Sequence, residues 1–503
     1  MTAPLHRLSA FLLLLLASIP SARAEEAKPE AAEQRGPRGG VLSLLPAADV
    51  TTAHAVDART RRIAYSATAG MLPIHDGNGE RKAAVFYTAY VAQDGNPANR
   101  PITFVFNGGP GAASVYLHLG VVGPKVLDFG PSGQDGAAAR LRDNPDTWLD
   151  FTDVVLIDPP GTGWSRVAKS DDRSFYGVRA DAQVIAKVIA LYVNRNGRSA
   201  SPKFLLGESY GGFRAAKVAD VLQREQGIIV SGTIMVSPLI EGAYIFGGGD
   251  RYSLGCALQL PSIVAAELER KRAFTPAAIA EAERFARSEY LATLAGPPPK
   301  GEEAKTFYAR VAGMTGLPPD LVARSRGCVR GAYLKHRRET AREIVSLYDA
   351  TIAVPDPYPE SENRRGPDPV LDGFTRALGG AFVGYARDHL GFKTDVTYSV
   401  LNGDVNGKWE WERGSRGTPP SATDDIREFV SANPSFRLLV VHGYADLVTP
   451  YGVSRYVIDH MPETGEPERV QLKVYPGGHM FYFADQQRAD FAKDARQFYQ
   501  AIQ

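Results

Sequence analysis

An apolar strand that breaks into a glycine-flanked serine and then a helix is the feature that most constrains this chain of 503 residues. Residues 204–206 are Phe-Leu-Leu, Gly-x-Ser-x-Gly follows around Ser209, and a helical pattern begins at Phe213. Strand, tight turn and helix in this order are the setting of a nucleophile elbow, which points a serine hydroxyl into open space. In a chain with 50 glycines the motif alone arises by chance roughly a few tenths of a time. Ser209 is therefore a candidate nucleophile that needs partners elsewhere.

Composition narrows the class of protein. Hydrophobic residues make up 44% and charged residues 22% of the chain, as in ordinary globular proteins. The formal net charge is +1, which gives no indication of a nucleic-acid partner or of an anionic membrane.

The first residues have the pattern of a secretory signal peptide. An apolar run covers residues 8–19, and Ala-x-Ala ends at Ala24. The alternative is an uncleaved anchor, but the run is short of the roughly 20 apolar residues that span a bilayer. We expect cleavage after Ala24 and export to the periplasm or the medium, with no membrane contact afterwards. In an oxidising compartment Cys256 and Cys328, the only cysteines, are expected to form a disulfide, the alternative being two buried thiols.

Apolar strands alternate with helical patterns along most of the chain, which predicts an α/β fold with a mostly parallel sheet covered by helices on both faces. An antiparallel hairpin is predicted from residue 62 to 91. Helical spacing interrupted by prolines predicts a mainly helical cap insertion. The predicted divisions are a signal peptide at 1–24, a flexible linker at 25–54, a first core segment at 55–240, the cap insertion at 241–385 and a second core segment at 386–503.

Two polar residues follow late predicted strands and suit the needs of a serine nucleophile. Asp446 comes shortly after a strand at 437–441, and His479 comes shortly after one at 471–475. A serine needs a base, usually a histidine that a carboxylate orients. The ends of parallel strands share one edge of a sheet, and the order Ser209, Asp446, His479 is the one this type of fold uses. His442 is the rival base, since it also follows a strand, but it precedes Asp446.

A glycine-rich loop follows the predicted strand at 102–106. Its sequence, from Asn107 to Gly111, is Asn-Gly-Gly-Pro-Gly. An oxyanion hole needs backbone N–H groups that approach the substrate with no side chain in the way. A plain Gly-Pro turn is the alternative, and the serine motif downstream favours the functional interpretation.

The glycine-rich loop and the serine motif occur in a fixed order with three further motifs. These are Ile-Asp-Pro-Pro-Gly-Thr-Gly-Trp-Ser at 157–165, Gly-Tyr-Ala-Asp at 443–446 and Gly-His-Met at 478–480. Together they resemble the serine carboxypeptidase family of α/β-hydrolases, in particular its bacterial exported members. The resemblance runs from about residue 60 to about residue 500 and implies an α/β-hydrolase fold. It also implies that Ser209 is the nucleophile, His479 the base and Asp446 the residue that orients it.

The resemblance assigns further roles around the serine. The amides of Gly109 and Tyr210 would form the oxyanion hole. Asn107, Gly108 and Glu208 would bind the C-terminal carboxylate of a peptide, for which the Glu208 side chain has to be protonated.

Two positions depart from the family pattern. Ala112 stands where the family has a bridged cysteine, and Val121 stands where it often has a second glutamate paired with the first. Two carboxyls that share a proton raise one pKa. Without that partner Glu208 is expected to ionise at a lower pH and to repel a substrate carboxylate, unless a cationic side chain of the insertion compensates.

The leading hypothesis is an exported serine carboxypeptidase that releases C-terminal amino acids from peptides through an acyl-enzyme on Ser209. An esterase or acyltransferase with the same three residues is the second hypothesis, and a catalytically inactive binding protein is the third. The sequence shows no metal cluster, phosphate loop or dinucleotide fingerprint, so no cofactor is predicted. The oligomeric state stays open.

Overall fold

A ten-stranded sheet runs through the chain, with helices on both of its faces. The structure is a computed structural model that describes residues 40–130, 136–169, 172–246, 252–411, 419–463 and 466–502, all within one compact unit. The predicted signal peptide and the first part of the predicted linker, to residue 39, lie outside the described residues. No helix in these described ranges is long and apolar enough to cross a bilayer.

The strands are β1 (Val50–Asp57), β2 (Arg62–His75), β3 (Arg81–Ala92), β4 (Ile102–Phe106), β5 (Lys125–Asp128), β6 (Arg140–Asp143), β7 (Asp153–Ile157), β8 (Arg166–Val167), β9 (Lys203–Glu208), β10 (Gly232–Val236), β11 (Glu343–Val345), β12 (Ala353–Pro355), β13 (Arg437–Gly443) and β14 (Val470–Tyr475). The main sheet has the order β1-β2-β3-β7-β4-β9-β10-β13-β14, with β8 paired to β3. The pairs from β7 to β14 are parallel, and β1, β2 and β3 extend the sheet in antiparallel fashion. The predicted mostly parallel α/β sheet is confirmed.

The helices are α1 (Val115–Leu117), α2 (Val178–Arg195), α3 (Tyr210–Gln226), α4 (Gly242–Phe246), α5 (Ser253–Arg270), α6 (Pro276–Phe285), α7 (Leu291–Ala295), α8 (Gly301–Thr315), α9 (Pro319–Arg324), α10 (Arg330–His336), α11 (Pro369–Asp388), α12 (Gly403–Lys408), α13 (Thr423–Ala432), α14 (Tyr451–Asp459) and α15 (Asp485–Gln500).

The central strands are apolar throughout because both faces of the sheet are covered. Phe204 and Leu206 of β9 pack in one cluster with α11 and α15, whereas Leu205 packs in a second cluster with α2 and α3. Successive side chains of a strand point to opposite faces, so a strand between two helical layers needs apolar residues at every position. This burial fixes the strands whose ends carry the candidate site.

The first strand begins before the predicted start of the fold. The hairpin of β2 and β3 is present as predicted. However, β1 starts at Val50, inside the predicted linker, and pairs along its whole length with β2. Its residues alternate between partly exposed and exposed positions up to Val56, because β1 is an edge strand with one neighbour. A strand of this kind lacks the apolar run by which the central strands are recognised.

The insertion is mainly helical, as predicted, and also contains the small hairpin of β11 and β12. Its helices α5 to α10 form a cluster of their own, and that cluster includes Ala445 and Leu447 from the loop after β13. The predicted boundary at residue 385 falls inside α11. This helix packs against the sheet core through Phe374 and Phe382, so no division occurs there.

Candidate active site

The turn between β9 and α3 carries Ser209. Its φ of 61° lies in the left-handed region, which residues other than glycine rarely adopt. The Ser209 amide donates to the carbonyl of Val236 on β10 at 2.9 Å. A Cβ on Gly207 would lie 1.9 Å from the carbonyl oxygen of Gly211, so the close crossing of strand and helix requires glycine. The predicted strand, turn and helix around the serine are therefore present.

The glycine-rich loop after β4 lies against this turn. A Cβ on Gly108 would come within 2.6 Å of the Tyr210 amide nitrogen, and Gly109 has a φ of +99°. Gly109 and Tyr210 line the same cavity as Ser209. The fold thus brings the two residues whose amides are the predicted oxyanion donors to the side of the serine.

Asp446 and His479 are hydrogen-bonded to each other at the ends of adjacent parallel strands. Asp446 Oδ2 accepts from His479 Nδ1 at 2.8 Å, and both side chains are buried. Asp446 Oδ1 accepts from the amides of Val448 and Thr449 at 2.7 and 3.1 Å. The Thr449 hydroxyl donates to Oδ2 at 2.8 Å. These bonds fix the carboxylate and leave the other ring nitrogen, Nε2, for the cavity that His479 shares with Ser209.

The charges of this pair stabilise one another. Burial by itself disfavours both charged groups. It raises the pKa of Asp446, but the His479 charge and hydrogen bond outweigh it and the pKa lies below its usual value. Burial likewise lowers the pKa of His479, but the Asp446 carboxylate outweighs it and the pKa lies above its usual value. A histidine that a buried carboxylate holds in this way is suited to accept and return a proton.

The rival histidine occupies a different environment. His442 Nε2 is hydrogen-bonded to the hydroxyl of Ser454 at 2.8 Å, and burial lowers the pKa of His442 to about 4. The described lining of the cavity includes His479 and not His442. Geometry therefore favours His479, as the sequence predicted.

The cavity around Ser209 has a volume of about 280 Å³. Its polar groups come from the glycine-rich loop, the serine turn and the histidine loop. Its apolar side chains come from several elements: Tyr116, Leu239, Ile245, Phe246, Tyr348, Leu371, Leu401, Trp411, Val448 and Met480. No lysine or arginine is among its described lining residues.

Glu208 lies in the wall of this cavity with both carboxyl oxygens hydrogen-bonded. The Asn107 amide donates to Oε2, and the Tyr482 hydroxyl donates to Oε1 at 2.7 Å. Asn107 Oδ1 in turn accepts from the Leu117 amide at 3.1 Å. The structure thus brings Asn107 and Glu208 together beside Ser209, and it adds Tyr482, which no sequence motif had singled out.

Burial favours the neutral form of Glu208. Burial raises its pKa to about 7, although the His479 charge and the donors Tyr482 and Asn107 oppose the rise. The sequence argument considered only the absent second glutamate, whereas burial by itself keeps this pKa above its usual value. Val121, at the position of that glutamate, packs into the core with 1% of its surface exposed.

Backbone pairing holds the glycine-rich loop where the family uses a disulfide. Ala112 pairs with Leu401 in an isolated antiparallel bridge. The Ala113 amide donates to the Val400 carbonyl and the Asn402 amide donates to the Gly111 carbonyl, both at 2.8 Å. The chain after α11 therefore fixes the loop without a cysteine at position 112. The predicted Cys256–Cys328 bond is present and joins α5 to the segment before α10.

The insertion makes backbone hydrogen bonds to the loops of Asp446 and His479. The Tyr348 carbonyl accepts from the His479 amide at 2.6 Å, and the Leu347 carbonyl accepts from the Leu447 amide at 3.1 Å. The Ala350 amide donates to the Ala445 carbonyl at 3.0 Å. Sequence reasoning missed these contacts because backbone donors and acceptors leave no residue-specific signal.

A buried ion pair lies next to the glycine-rich loop and to Tyr210, the two places that carry the predicted oxyanion donors. Arg214 of α3 donates to Asp181 of α2 at 2.6 Å, and the two side chains are 1% and 3% exposed. Arg214 also donates to the Asn107 carbonyl, and its guanidinium lies over the Tyr210 ring, 5.0 Å from the centroid. The pair therefore contacts both the glycine-rich loop and the residue after Ser209, and no motif pointed to it.

Comparison with known proteins identifies serine carboxypeptidases as similar over part of the chain. The family model described as serine carboxypeptidase matches residues 61–238, which carry β4, the glycine-rich loop and the turn of Ser209. Over this segment the chain is similar to serine carboxypeptidases. Serine carboxypeptidase-like 44 of Arabidopsis thaliana is 28% identical over 162 residues, 32% of this chain and 32% of the relative. Pheromone-processing carboxypeptidase KEX1 of Cryptococcus gattii is 34% identical over 109 residues, 20% of this chain and 16% of the relative.

The match covers only part of each serine carboxypeptidase. The chain spans about a third of the length of the Arabidopsis relative. The matched segment contains Ser209, Glu208 and the glycine-rich loop, whereas Asp446 and His479 lie beyond it. The evidence that Asp446 and His479 lie near Ser209 therefore comes from the structure and not from the sequence match.

Solved structures align over most of the chain at low identity. Proline iminopeptidase of Mycobacterium smegmatis covers 86% of this chain and 98% of its own length, with a TM-score of 0.38 and 16% identity. A monoglyceride lipase variant of Saccharomyces cerevisiae covers 86% and 96%, with a TM-score of 0.36 and 14% identity. At such TM-scores the fold class rests on the sheet topology of this chain, in which the candidate residues follow β9, β13 and β14 in the order of an α/β-hydrolase.

Proposed function

We propose that this chain is a serine carboxypeptidase that removes the last amino acid of peptides through an acyl-enzyme on Ser209. The observation that carries the proposal is one cavity that contains Ser209, His479 and the pair of Asn107 and Glu208. The first two are the groups of acyl transfer, and the last two can bind a free carboxylate. The match of residues 61–238 to the serine carboxypeptidase family model supports the same reaction.

The chemical steps follow from the geometry. Ser209 Oγ attacks the carbonyl carbon of the last peptide bond while its proton passes to Nε2 of His479. The amides of Gly109 and Tyr210 donate to the oxyanion. The C–N bond then breaks, His479 gives its proton to the leaving amino group, and water repeats the attack on the acyl-enzyme with His479 as base. Asp446 stabilises the histidinium and fixes the ring.

The position of the cleaved bond depends on the carboxylate of the leaving residue. Asn107 and a protonated Glu208 both offer hydrogen-bond donors, and the amide of Gly108 lies beside them. Asn107 and a neutral Glu208 would bind the carboxylate by hydrogen bonds, without an ion pair to either side chain. The apolar side chains around Ser209 would receive the flanking side chains of the peptide.

The test is hydrolysis of an N-blocked dipeptide with a free C-terminus beside its C-terminal amide and methyl ester, between pH 4 and pH 9. Cleavage of the free acid with a far smaller kcat/KM for the amide is the expected result. Ser209→Ala is the control and is expected to be inactive on all three substrates. Equal or faster turnover of the amide or the ester would show a general acyl hydrolase instead.

We also propose that the chain is exported and loses residues 1–24. The support is the apolar run before Ala24, together with the Cys256–Cys328 bond, since disulfides persist in oxidising compartments. Cell fractionation and N-terminal sequencing test this proposal. A mature protein that begins at Glu25 outside the cytoplasm is the expected result, and a cytoplasmic protein with an intact N-terminus contradicts it.

A further inference from the structure

Tyr482 is a buried side chain next to the carboxylate-binding group, which we define as Asn107 and Glu208. It lies in a 3-10 turn, Phe481–Phe483, directly after His479 and Met480. Its ring packs against the segment of Val121, since a Cβ on Gly120 would lie 2.5 Å from the ring. Tyr482 thus contacts both Glu208 and the chain next to Val121, the position at which the family pattern has a second glutamate.

The two oxygens of Glu208 have different neighbours. Oε2 accepts from the Asn107 amide, and Asn107 lines the cavity. Oε1 accepts from the Tyr482 hydroxyl, and Tyr482 is fully buried and is not among the described lining residues of the cavity. Oε2 is therefore the oxygen on the cavity side, and Oε1 is the oxygen on the core side.

The orientation of Asn107 is fixed independently. Its Oδ1 accepts from the Leu117 amide, so the Nδ2 group faces Glu208. An amide nitrogen has two hydrogens, and Glu208 accepts only one of them. The second hydrogen is left for a ligand in the cavity.

A tyrosine differs from a glutamate as the partner of Glu208. A paired glutamate shares one proton and can place it on either carboxyl. A phenol has one hydrogen, and burial raises the pKa of Tyr482 well above its usual value, so Tyr482 keeps that hydrogen and donates it to Oε1. The oxygen that accepts this hydrogen bond is the carbonyl oxygen of a neutral Glu208.

We propose that Tyr482 is the positioning residue of the carboxylate-binding group: by donating to Oε1 it places the hydrogen of neutral Glu208 on Oε2, which donates it to the C-terminal carboxylate of a peptide. The inference rests on the proposed carboxypeptidase function. Tyr482 acts through Glu208 and does not touch the substrate.

The first experiment compares Tyr482→Phe with wild type on the dipeptide acid and its amide. Removing the hydroxyl is expected to lower kcat/KM for the free acid roughly tenfold, the effect of one lost hydrogen bond to a buried group, and to leave the amide unchanged. Tyr499→Phe is the matched control. Tyr499 is equally buried and hydrogen-bonds Thr103 instead, so its removal is expected to leave the ratio of acid to amide unchanged. An unchanged ratio in Tyr482→Phe overturns the inference.

A second measurement needs no substrate. The infrared difference spectrum between wild type and Glu208→Gln at pH 5 is expected to show the C=O band of a neutral carboxyl. In Tyr482→Phe that band is expected at higher wavenumber, because its carbonyl oxygen has lost a donor. An unmoved band overturns the inference even if the enzyme cleaves peptides. If instead the wild type shows no preference for the free acid while the band shifts, the proposed function fails and the hydrogen placement stands.

Discussion

At the scale of single residues, the proposed binding of a C-terminal carboxylate depends on the protonation of Glu208. Burial favours the neutral acid, so a carboxylate can approach without repulsion. His479 has the opposite requirement, since it has to be neutral to accept the Ser209 proton. The two groups line one cavity and restrict activity from opposite sides of the pH scale.

The pH profile of the free acid is expected to be narrower than that of the amide. The pKa of Glu208 is about 7, so above this pH its charge repels the substrate carboxylate and kcat/KM falls. Asp446 raises the pKa of His479 above its usual value, so both substrates lose turnover as the pH falls through this raised pKa. Initial rates from pH 4 to pH 9 check both limbs.

The control for this profile is Glu208→Gln, which cannot ionise. It is expected to keep the acidic limb and to lose the alkaline fall that is specific to the free acid. Identical alkaline limbs for acid and amide in the wild type would mean that Glu208 does not face the substrate carboxylate.

At the scale of helices and strands, the site depends on how α2 and α3 pack beneath it. Asp181 on α2 and Arg214 on α3 form an ion pair that also contacts the Asn107 carbonyl and the Tyr210 ring. An ion pair taken out of water stabilises little by itself, but the loss of one partner leaves an uncompensated buried charge. The pair is therefore expected to behave as one unit.

We expect Arg214→Met and Asp181→Asn each to lower the free energy of unfolding by about 3–5 kcal/mol. The double variant is expected to lose less than the sum, because neither charge is then left alone. Urea unfolding measures all four corners of the cycle. Arg224→Ala breaks an exposed pair with Asp220 on the same helix and is the control, with an expected change within about 1 kcal/mol. Additive losses for the buried pair would contradict the coupling.

At the scale of the whole molecule, the candidate residues come from distant parts of the chain and meet at one edge of the sheet. The sequence could predict this meeting, because Ser209, Asp446 and His479 each follow an apolar strand and such strands end together in a parallel sheet. It could not predict Tyr482, Asp181 or residues 347–350. Their contacts depend on packing between elements, and the residues have no motif. The edge strand β1 was not predicted for a related reason, because a half-exposed strand has no apolar run.

The disulfide is expected to stabilise the insertion and not the chemistry. Cys256 and Cys328 are 72 positions apart, and closing a loop of that length restricts the unfolded chain. Replacing both cysteines by alanine is expected to cost about 2–4 kcal/mol, with turnover at 25 °C retained. Thermal unfolding with and without reductant checks this, because the reduced wild type should have the same Tm as the double variant. Equal melting of oxidised wild type and the variant would contradict it.

The hydrogen bonds from residues 347–350 to the loops of Asp446 and His479 have a consequence for protein engineering. The insertion supplies part of the cavity wall, so exchanging it for the insertion of a relative is an obvious route to a new side-chain preference. A graft that runs past Tyr348 also replaces the carbonyl that accepts from the His479 amide. A graft that ends before β11 keeps that contact. Comparing the two grafts therefore distinguishes an altered side-chain preference from a loss of proton transfer by His479.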